Sequence, residues 1–174
     1  MMRKSVFIFT ILLFSIGSWA QSSRDSSHGS SFGGDIFLGY SLQNGDTLHS
    51  ASGFEAALTG NLRDWFGLQA DFSGHYKSES GAGARTYNML FGPQIAHNVG
   101  KVRIYGHGLA GVAHFSGFGF NSQNSLGWAL GGGADYNFTD HFAFRPVQLD
   151  YIGSHLFSTT QKNVRYSVGF VYRF

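Results

Sequence analysis

Apolar and polar residues alternate along most of the chain, and the alternation is clearest between residues 163 and 174. Every second position there is apolar or aromatic: Val164, Tyr166, Val168, Phe170, Tyr172 and Phe174. The positions between them are mostly polar or small: Asn163, Arg165, Ser167, Gly169, Val171 and Arg173. A period of two predicts a β-strand with a different environment on each face. At about 3.3 Å per residue, a strand of this length can follow a tilted path across the core of a bilayer.

The same alternation predicts seven further strands earlier in the chain. They cover residues 33–42, 53–61, 65–76, 85–95, 102–113, 125–136 and 141–152. Pro93 cannot donate a hydrogen bond to a neighbouring strand, so we expect a local irregularity there. The alternation slips between Arg145 and Asp150, which predicts a bulge near Pro146. The facing of residues 102–113 stays open, because charged, aromatic and apolar side chains share one face.

The connections between these strands indicate a barrel that crosses a membrane. The first, third, fifth and seventh are predicted to be long, about eight to eleven residues, and the others short. Short inner turns and longer outer loops are typical of outer-membrane barrels. Aromatic residues fall at two heights, as girdles do: Tyr40, Tyr76, Tyr87, Tyr151 and Tyr166 near the outer rim, and Phe66, Tyr136, Phe142, Tyr172 and Phe174 near the inner rim. We therefore predict an all-β, eight-stranded antiparallel up-and-down transmembrane β-barrel.

The start of the chain is typical of a secretory signal peptide. Arg3 and Lys4 precede a short apolar run, and small residues precede Gln21. We expect cleavage after Ala20, a flexible Ser-rich lead-in over residues 21–32, and a barrel domain over residues 33–174. The expected location is the outer membrane. Without residues 1–20 the chain has 10 basic and 10 acidic residues, which argues against nucleic-acid binding. The sequence has no cysteine, so no disulfide or lipid-modified cysteine is possible.

Three segments carry a resemblance to a known family. The strand from Tyr166 to Phe174, the Asp150-Tyr151 pair after Arg145, and the sequence GGGADY at residues 131–136 resemble OmpA-like, opacity-type small outer-membrane β-barrels. The resemblance covers residues 33–174. It implies that the barrel assembly machinery reads a signal in the closing strand, formed by Tyr166, Val168, Phe170, Tyr172 and Phe174. The chain stops at Phe174, so we expect no peptidoglycan-binding domain and no cell-wall anchoring.

The polar face of the strands supplies the candidate functional residues. An eight-stranded barrel is just wide enough for side chains to fill it, and opposite charges in such an interior must pair to offset their desolvation. We expect a polar network inside the barrel from Glu55, Gln69, Asp71, His75, Arg103, His107, Asp135, Arg145, Asp150 and Arg165, with Asn88 and Gln94 also facing inward. This interpretation favours a non-enzymatic envelope protein with surface loops for adhesion or ligand contact. The expected partners are outer-membrane lipid, lipopolysaccharide and the assembly machinery, and the expected state is a monomer.

Several alternatives remain open at the level of sequence. The same interior residues could form a small porin-like channel. His114-Phe115-Ser116 matches the His-x-Ser pair of barrels that resemble lipid A deacylases, but the next strand offers no carboxylate to orient the histidine until Asp135. A soluble lipocalin-like barrel would need the reverse facing, with apolar residues inside.

Two further patterns are weaker. Gly106-x-Gly108-x-x-Gly111 matches a dinucleotide-binding pattern, yet no helix follows it to meet a phosphate. The eight histidines show no helical metal-ligand spacing, and we expect neither a metal nor a cofactor.

Overall fold

Eight antiparallel strands form a closed barrel. The computed structural model describes residues 33–45, 50–79, 82–117, 120–156 and 159–174. The strands are β1 (Gly33–Gly45), β2 (Ala51–Arg63), β3 (Phe66–Glu79), β4 (Ala82–Val99), β5 (Val102–Gly117), β6 (Phe120–Asn137), β7 (Phe142–Leu156) and β8 (Thr159–Arg173). Each strand pairs with its sequence neighbours, and β1 pairs with β8 to close the sheet. The predicted fold class is confirmed. The expected signal peptide and lead-in, residues 1–32, lie outside the described residues.

Alternation along the strands separates a polar interior from an apolar exterior. On β8, Arg165 and Ser167 are buried while Tyr166 and Phe170 are exposed. Leucine, phenylalanine, tyrosine and isoleucine dominate the exposed face of the other strands as well. This facing rules out the lipocalin-like alternative, which requires apolar side chains inside. No helix among the described residues is both long enough and apolar enough to span a membrane.

The structure assigns the facing of the fifth strand, which the sequence leaves open. Arg103, Tyr105, His107 and Leu109 are all buried and face the interior, while Ile104 is exposed. Charged and aromatic residues therefore share the inner face of β5. The interior needs such large side chains because only glycine opposes them on part of β6, where residues 131–133 pair with β5.

The predicted bulge in β7 is confirmed. Arg145 pairs with Gly169 and Gln148 with Ser167, so β7 contains one more residue than β8 between these points. The extra residue lets Arg145 and Asp150 both face inward although their positions differ in parity. At Pro93 the register of β4 and β5 is unchanged, but pairing stops at Phe91 and resumes at Gln94, which is the expected local irregularity.

The prediction of long outer loops was wrong. Residues assigned to loops extend the strands instead, and pairing continues to Glu79 with Ala82, to Gly117 with Phe120, and to Leu156 with Thr159. The physical reason is that a backbone ladder forms between antiparallel neighbours whether or not side chains alternate in polarity. The Gly-, Ser- and Asn-rich composition of these segments reports a polar environment rather than the end of pairing. We call this end of the barrel the outer end, and the end with turns 64–65, 100–101 and 138–141 the inner end.

Aromatic side chains cluster at both rims. Near the outer end the hydroxyl groups of Tyr76 and Tyr87 lie 2.9 Å apart, and their rings meet edge to face. Near the inner end the ring of Tyr172 lies 5.2 Å from that of Phe142 and 6.5 Å from that of Phe174. Two aromatic belts around an apolar surface match the arrangement that positions a barrel in a bilayer.

Candidate functional site in the barrel interior

The charged residues predicted for the interior are all buried. The structure places Glu55, Gln69, Asp71, His75, Arg103, His107, Asp135, Arg145, Asp150 and Arg165 there, and Asn88 and Gln94 beside them. They come from all strands from β2 to β8. Strand alternation turns them inward, together with the bulge that brings Arg145 and Asp150 to the same face of β7. Most of them belong to three connected groups, which follow one another from the centre of the barrel to its inner end.

Arg165 is the centre of the first group, and none of its surface is exposed. Its guanidinium donates to Asp71 at 2.8 Å and to Asp150 at 2.7 Å, and its Nε lies 3.3 Å from Glu55. A further bond of 2.9 Å runs to the hydroxyl of Ser73. One guanidinium thus holds carboxylates from β2, β3 and β7 around β8. Buried charges of this kind are stable only when paired and hydrogen-bonded.

Gln148 links this group to the next one. Its amide nitrogen donates to Glu55 at 2.6 Å and to Asp150 at 2.8 Å. Its amide oxygen accepts from the hydroxyl of Tyr105 and from Arg145, both at 2.7 Å. Two of these bonds reach other strands, to Glu55 on β2 and Tyr105 on β5, and two stay within β7, so Gln148 uses its donor and acceptor capacity to join β7 to two separate strands.

Arg145 forms the second group with Asp135. Its Nε and a terminal nitrogen donate to the two carboxylate oxygens at 2.7 and 3.2 Å, which is bidentate geometry. The guanidinium also lies between two rings, 4.3 Å from the centroid of Phe37 and 4.3 Å from that of Tyr105. Desolvated cation–π contacts of this kind are favourable. The bulge in β7 is what aims Arg145 into this place.

The third group lies at the inner end. Asp35 accepts from Arg103 at 2.7 Å and from Arg173 at 3.1 Å, and Asn61 bonds both Asp35 and Arg103. Arg173 continues to Asp135 at 3.2 Å, which connects this group to the second. The side-chain oxygen of Asn137 also accepts from Arg173.

Two histidines and one glutamine sit at the edges of the network. His107 Nε2 lies 2.8 Å from Asp150, and His75 Nε2 lies 2.9 Å from the hydroxyl of Ser41. Gln69 is buried, but its Nε2 has no acceptor among the described residues, so it does not join the groups above. In the part of the chain that the structure describes, no three histidine, aspartate or glutamate side chains are grouped to hold a metal.

Apolar clusters fill the remaining space inside the barrel. One contains Leu90, Leu109, Ala129 and Ile152, and a second contains Phe37, Ala57, Ala143 and Val171. A third, of Ala51, Ala84 and Phe115, lies toward the outer end. The polar network therefore lies among apolar clusters inside the barrel.

Four important members of the network were not among the predicted site residues: Asp35, Tyr105, Gln148 and Arg173. In the sequence, Asp35 lies on the opposite face of its strand from Ile36 and Leu38, and Arg173 and Tyr105 each share a face with charged residues. Gln148 lies two residues from Asp150 on the same strand, so strand alternation after the predicted bulge would have placed it on the inner face. The glycines at 131–133 are a second missed signal. A Cβ at Gly131 would lie 1.9 Å from Oδ1 of Asp150, and one at Gly133 2.7 Å from the hydroxyl of Tyr105.

The two motifs that suggested other chemistry lie in the barrel wall. The glycine pattern of residues 106–111 falls inside β5. A Cβ added at Gly111 would lie 2.1 Å from the backbone oxygen of Met89, so the close approach of β4 requires glycine there. His114 Nδ1 lies 2.6 Å from the side-chain oxygen of Asn124, so its ring is oriented by an amide instead of a carboxylate. Among the described hydrogen bonds, none joins His114 to Ser116.

Comparison with protein families agrees with this architecture. A family model described as outer membrane protein beta-barrel domain matches residues 9–174. The chain belongs to this family. It is therefore an outer-membrane barrel of Gram-negative type, and its inner end, where Gly34 pairs with Phe174, is expected to face the periplasm. Among curated proteins, no significant match is found.

Solved barrels show the same fold at low sequence identity. Ail, the attachment invasion locus protein of Yersinia pestis, is 24% identical, with 82% of this chain and 99% of that chain covered and a TM-score of 0.56. Neisserial surface protein A is 17% identical, with 84% and 99% covered and a TM-score of 0.66. The N-terminal barrel of Pseudomonas aeruginosa OprF is 13% identical, with 80% and 97% covered and a TM-score of 0.50. Ail has also been solved with the heparin analogue sucrose octasulfate.

Proposed function

We propose that this protein is a non-enzymatic structural component of the outer membrane, with a closed interior and outer strand ends that contact ligands or surfaces. The observation that carries the proposal is the fully buried Arg165 held by Asp71, Asp150 and Glu55. These pairs join four strands across the barrel, so they hold its cross-section fixed.

The same contacts argue against steady ion flow. A passing ion would have to displace guanidinium–carboxylate bonds of 2.7–2.8 Å in a site without exposed surface. Breaking a buried pair leaves uncompensated charge, which costs several kcal/mol, about 3–5 by mutational data. The cluster of Ala51, Ala84 and Phe115 adds an apolar layer toward the outer end. A porin-like channel is therefore the second candidate rather than the first.

The cellular setting of the proposal rests on the chain ends. Export would use a signal peptide cleaved after Ala20. The assembly machinery would read the closing strand, where Tyr166, Phe170, Tyr172 and Phe174 are exposed on the lipid face and Val168 is half-buried between them. Lipid and lipopolysaccharide would surround a monomer. No catalytic role is proposed, because His114 is oriented by Asn124 and no hydrogen bond among the described residues joins it to Ser116.

Conductance of the refolded chain in planar bilayers tests the proposal. A heat-modifiability gel of the same sample first establishes that the barrel has folded. The expected result is folded protein without steady conductance. Discrete openings that change with Arg103→Gln or Asp135→Asn, but not with the exposed-turn variant Arg63→Gln, would replace the structural role with a gated pathway.

A further inference from the structure

An open pocket lies at the inner end of the barrel, between the turn at 100–101 and the turn at 138–141. Its volume is about 460 Å³. Three of its lining side chains are cationic, Lys101, Arg103 and Arg173, and one is acidic, Asp140. The pocket opens at the inner end, which is expected to face the periplasm, and none of its lining residues belongs to the buried Arg165 group.

The charges behind the pocket do not balance. Arg103, Arg145 and Arg173 share only two carboxylates, Asp35 and Asp135, through the ion pairs described above. Asp35 serves two guanidiniums, and so does Asp135. Among these inner-end residues three guanidiniums therefore face two carboxylates, whereas the surplus of carboxylates in the interior lies around Arg165. The buried Nε of Arg103 has no acceptor among the described residues, which agrees with this count.

The rim adds one cation, one carboxylate and several hydrogen-bond donors. Lys101 is exposed, and its ammonium group has no partner in the described part of the chain. It offsets the exposed Asp140, so the surplus from the arginines remains. Asn137 accepts from Arg173 through its oxygen, which leaves its amide nitrogen available. Thr139 Oγ1 accepts from the backbone nitrogens of His141 and Phe142, so its hydroxyl hydrogen can still be donated.

From this combination we propose that the pocket binds an oxyanion presented from the periplasmic side, either a free phosphate or the phosphate of a lipid headgroup. Lys101 and Arg173 supply the charge, Arg103 supplies the positive field of the floor, and Asn137 and Thr139 supply neutral donors. Charge-assisted bonds from lysine and arginine to phosphate are the strong class of hydrogen bonds. Phe138, which also lines the pocket and is exposed, gives a headgroup an apolar neighbour at the membrane edge. This inference does not depend on whether the barrel conducts.

Titration of the refolded protein in maltoside micelles with inorganic phosphate tests the free-anion source. Amide chemical shifts of Gly100 and Thr139, measured by NMR, report on the pocket. Lys101→Gln should raise the dissociation constant about fivefold, the effect of one near-surface lysine on a phosphate. Arg63→Gln is the matched control, because Arg63 is exposed near the turn 64–65 and does not line the pocket. It should leave binding unchanged.

Short-chain phosphatidylglycerol in the same micelles tests the lipid source. Shifts with the lipid but not with inorganic phosphate at equal concentration would identify a headgroup site, and saturable shifts with inorganic phosphate would identify a free-anion site. Absence of both responses in the folded protein would overturn the proposal. An equal loss of binding with Lys101→Gln and Arg63→Gln would overturn it too, because a diffuse rim charge would then explain the attraction.

Discussion

Arg165 shows how much of this barrel depends on a single side chain. Lysine at this position would keep the charge, but only a planar guanidinium can reach Asp71 and Asp150 together while also bonding Ser73. The arrangement makes the residue difficult to remove, because three carboxylates would lose their shared partner.

Replacement of Arg165 by methionine should lower the free energy of unfolding by about 3–5 kcal/mol, since it leaves buried carboxylates without compensation. Urea unfolding in phospholipid vesicles measures the change. Adding Asp71→Asn to this variant should recover part of the loss, because one uncompensated charge is then removed.

The control for Arg165→Met is Arg63→Met, which removes an exposed guanidinium from the inner end of β2. It should change the free energy by no more than about 0.5 kcal/mol. Equal losses in the two variants would mean that the buried ion pairs contribute nothing beyond a general effect of charge.

At the scale of the strand, the facing of residues could be predicted and their partners could not. Alternation places Arg165 and Asp71 inside, but their bond joins residues 94 apart in sequence. Which inward residues meet depends on the stagger of all eight strands, and no local pattern encodes that stagger. Strand ends were missed for a related reason: backbone pairing at Glu79 and Ala82 needs no apolar side chains. The bulge was predictable because charged residues on either side of it fix the parity.

Deletion of Pro146 should be tolerated, because β7 carries its extra residue against both neighbours. Ala134 pairs with Val147, and Gly169 pairs with Arg145. Removing Pro146 restores regular alternation and leaves Arg145 and Gln148 facing inward. The variant should fold, and its free energy of unfolding should be lower by about 1 kcal/mol. The loss comes from the hydrogen bond that the hydroxyl of Tyr166 donates to the Pro146 carbonyl at 2.9 Å in the unchanged protein.

Deletion of Val168 in β8 is the comparison for this strand prediction. Val168 pairs with Tyr40 in a regular register, so removing it turns one half of β8 inside out. A heat-modifiability gel should show a folded barrel for the Pro146 deletion and none for the Val168 deletion. A Pro146 deletion that also fails would show that the bulge itself, and not only the facing of its neighbours, is required.

At the scale of the whole molecule, the outer surface and the interior follow opposite rules. The interior concentrates paired charges, whereas the exposed surface between the aromatic belts consists mainly of leucine, phenylalanine, isoleucine and valine. Composition alone could not reveal this division, because polar and apolar residues are interleaved along every strand and the mean hydropathy is only −0.09. The period of two reveals it, since it assigns alternate residues to different surroundings.

Because the exposed surface is apolar, the cost of a charged side chain there should depend on its depth in the membrane. Leu130 and Leu126 both lie exposed on β6, and Tyr136 marks the inner belt of the same strand. A strand tilted by about 40° advances roughly 2.5 Å per residue along the barrel axis, which places Leu130 about 15 Å and Leu126 about 25 Å from Tyr136. The apolar band is about 25 Å tall. Leu130 therefore lies inside the apolar band, in its outer half, and Leu126 lies at its outer boundary.

Leu130→Arg should then lower the free energy of unfolding in phospholipid vesicles by about 2–4 kcal/mol, and Leu126→Arg by no more than about 1 kcal/mol. The two variants have the same strand, residue type and added charge, so the difference between them isolates depth. In maltoside micelles, which adapt to the protein surface, the difference should shrink. Equal losses in vesicles would mean that the membrane lies elsewhere on the barrel surface. The assignment of the 460 Å³ pocket to the periplasmic boundary would then be wrong too.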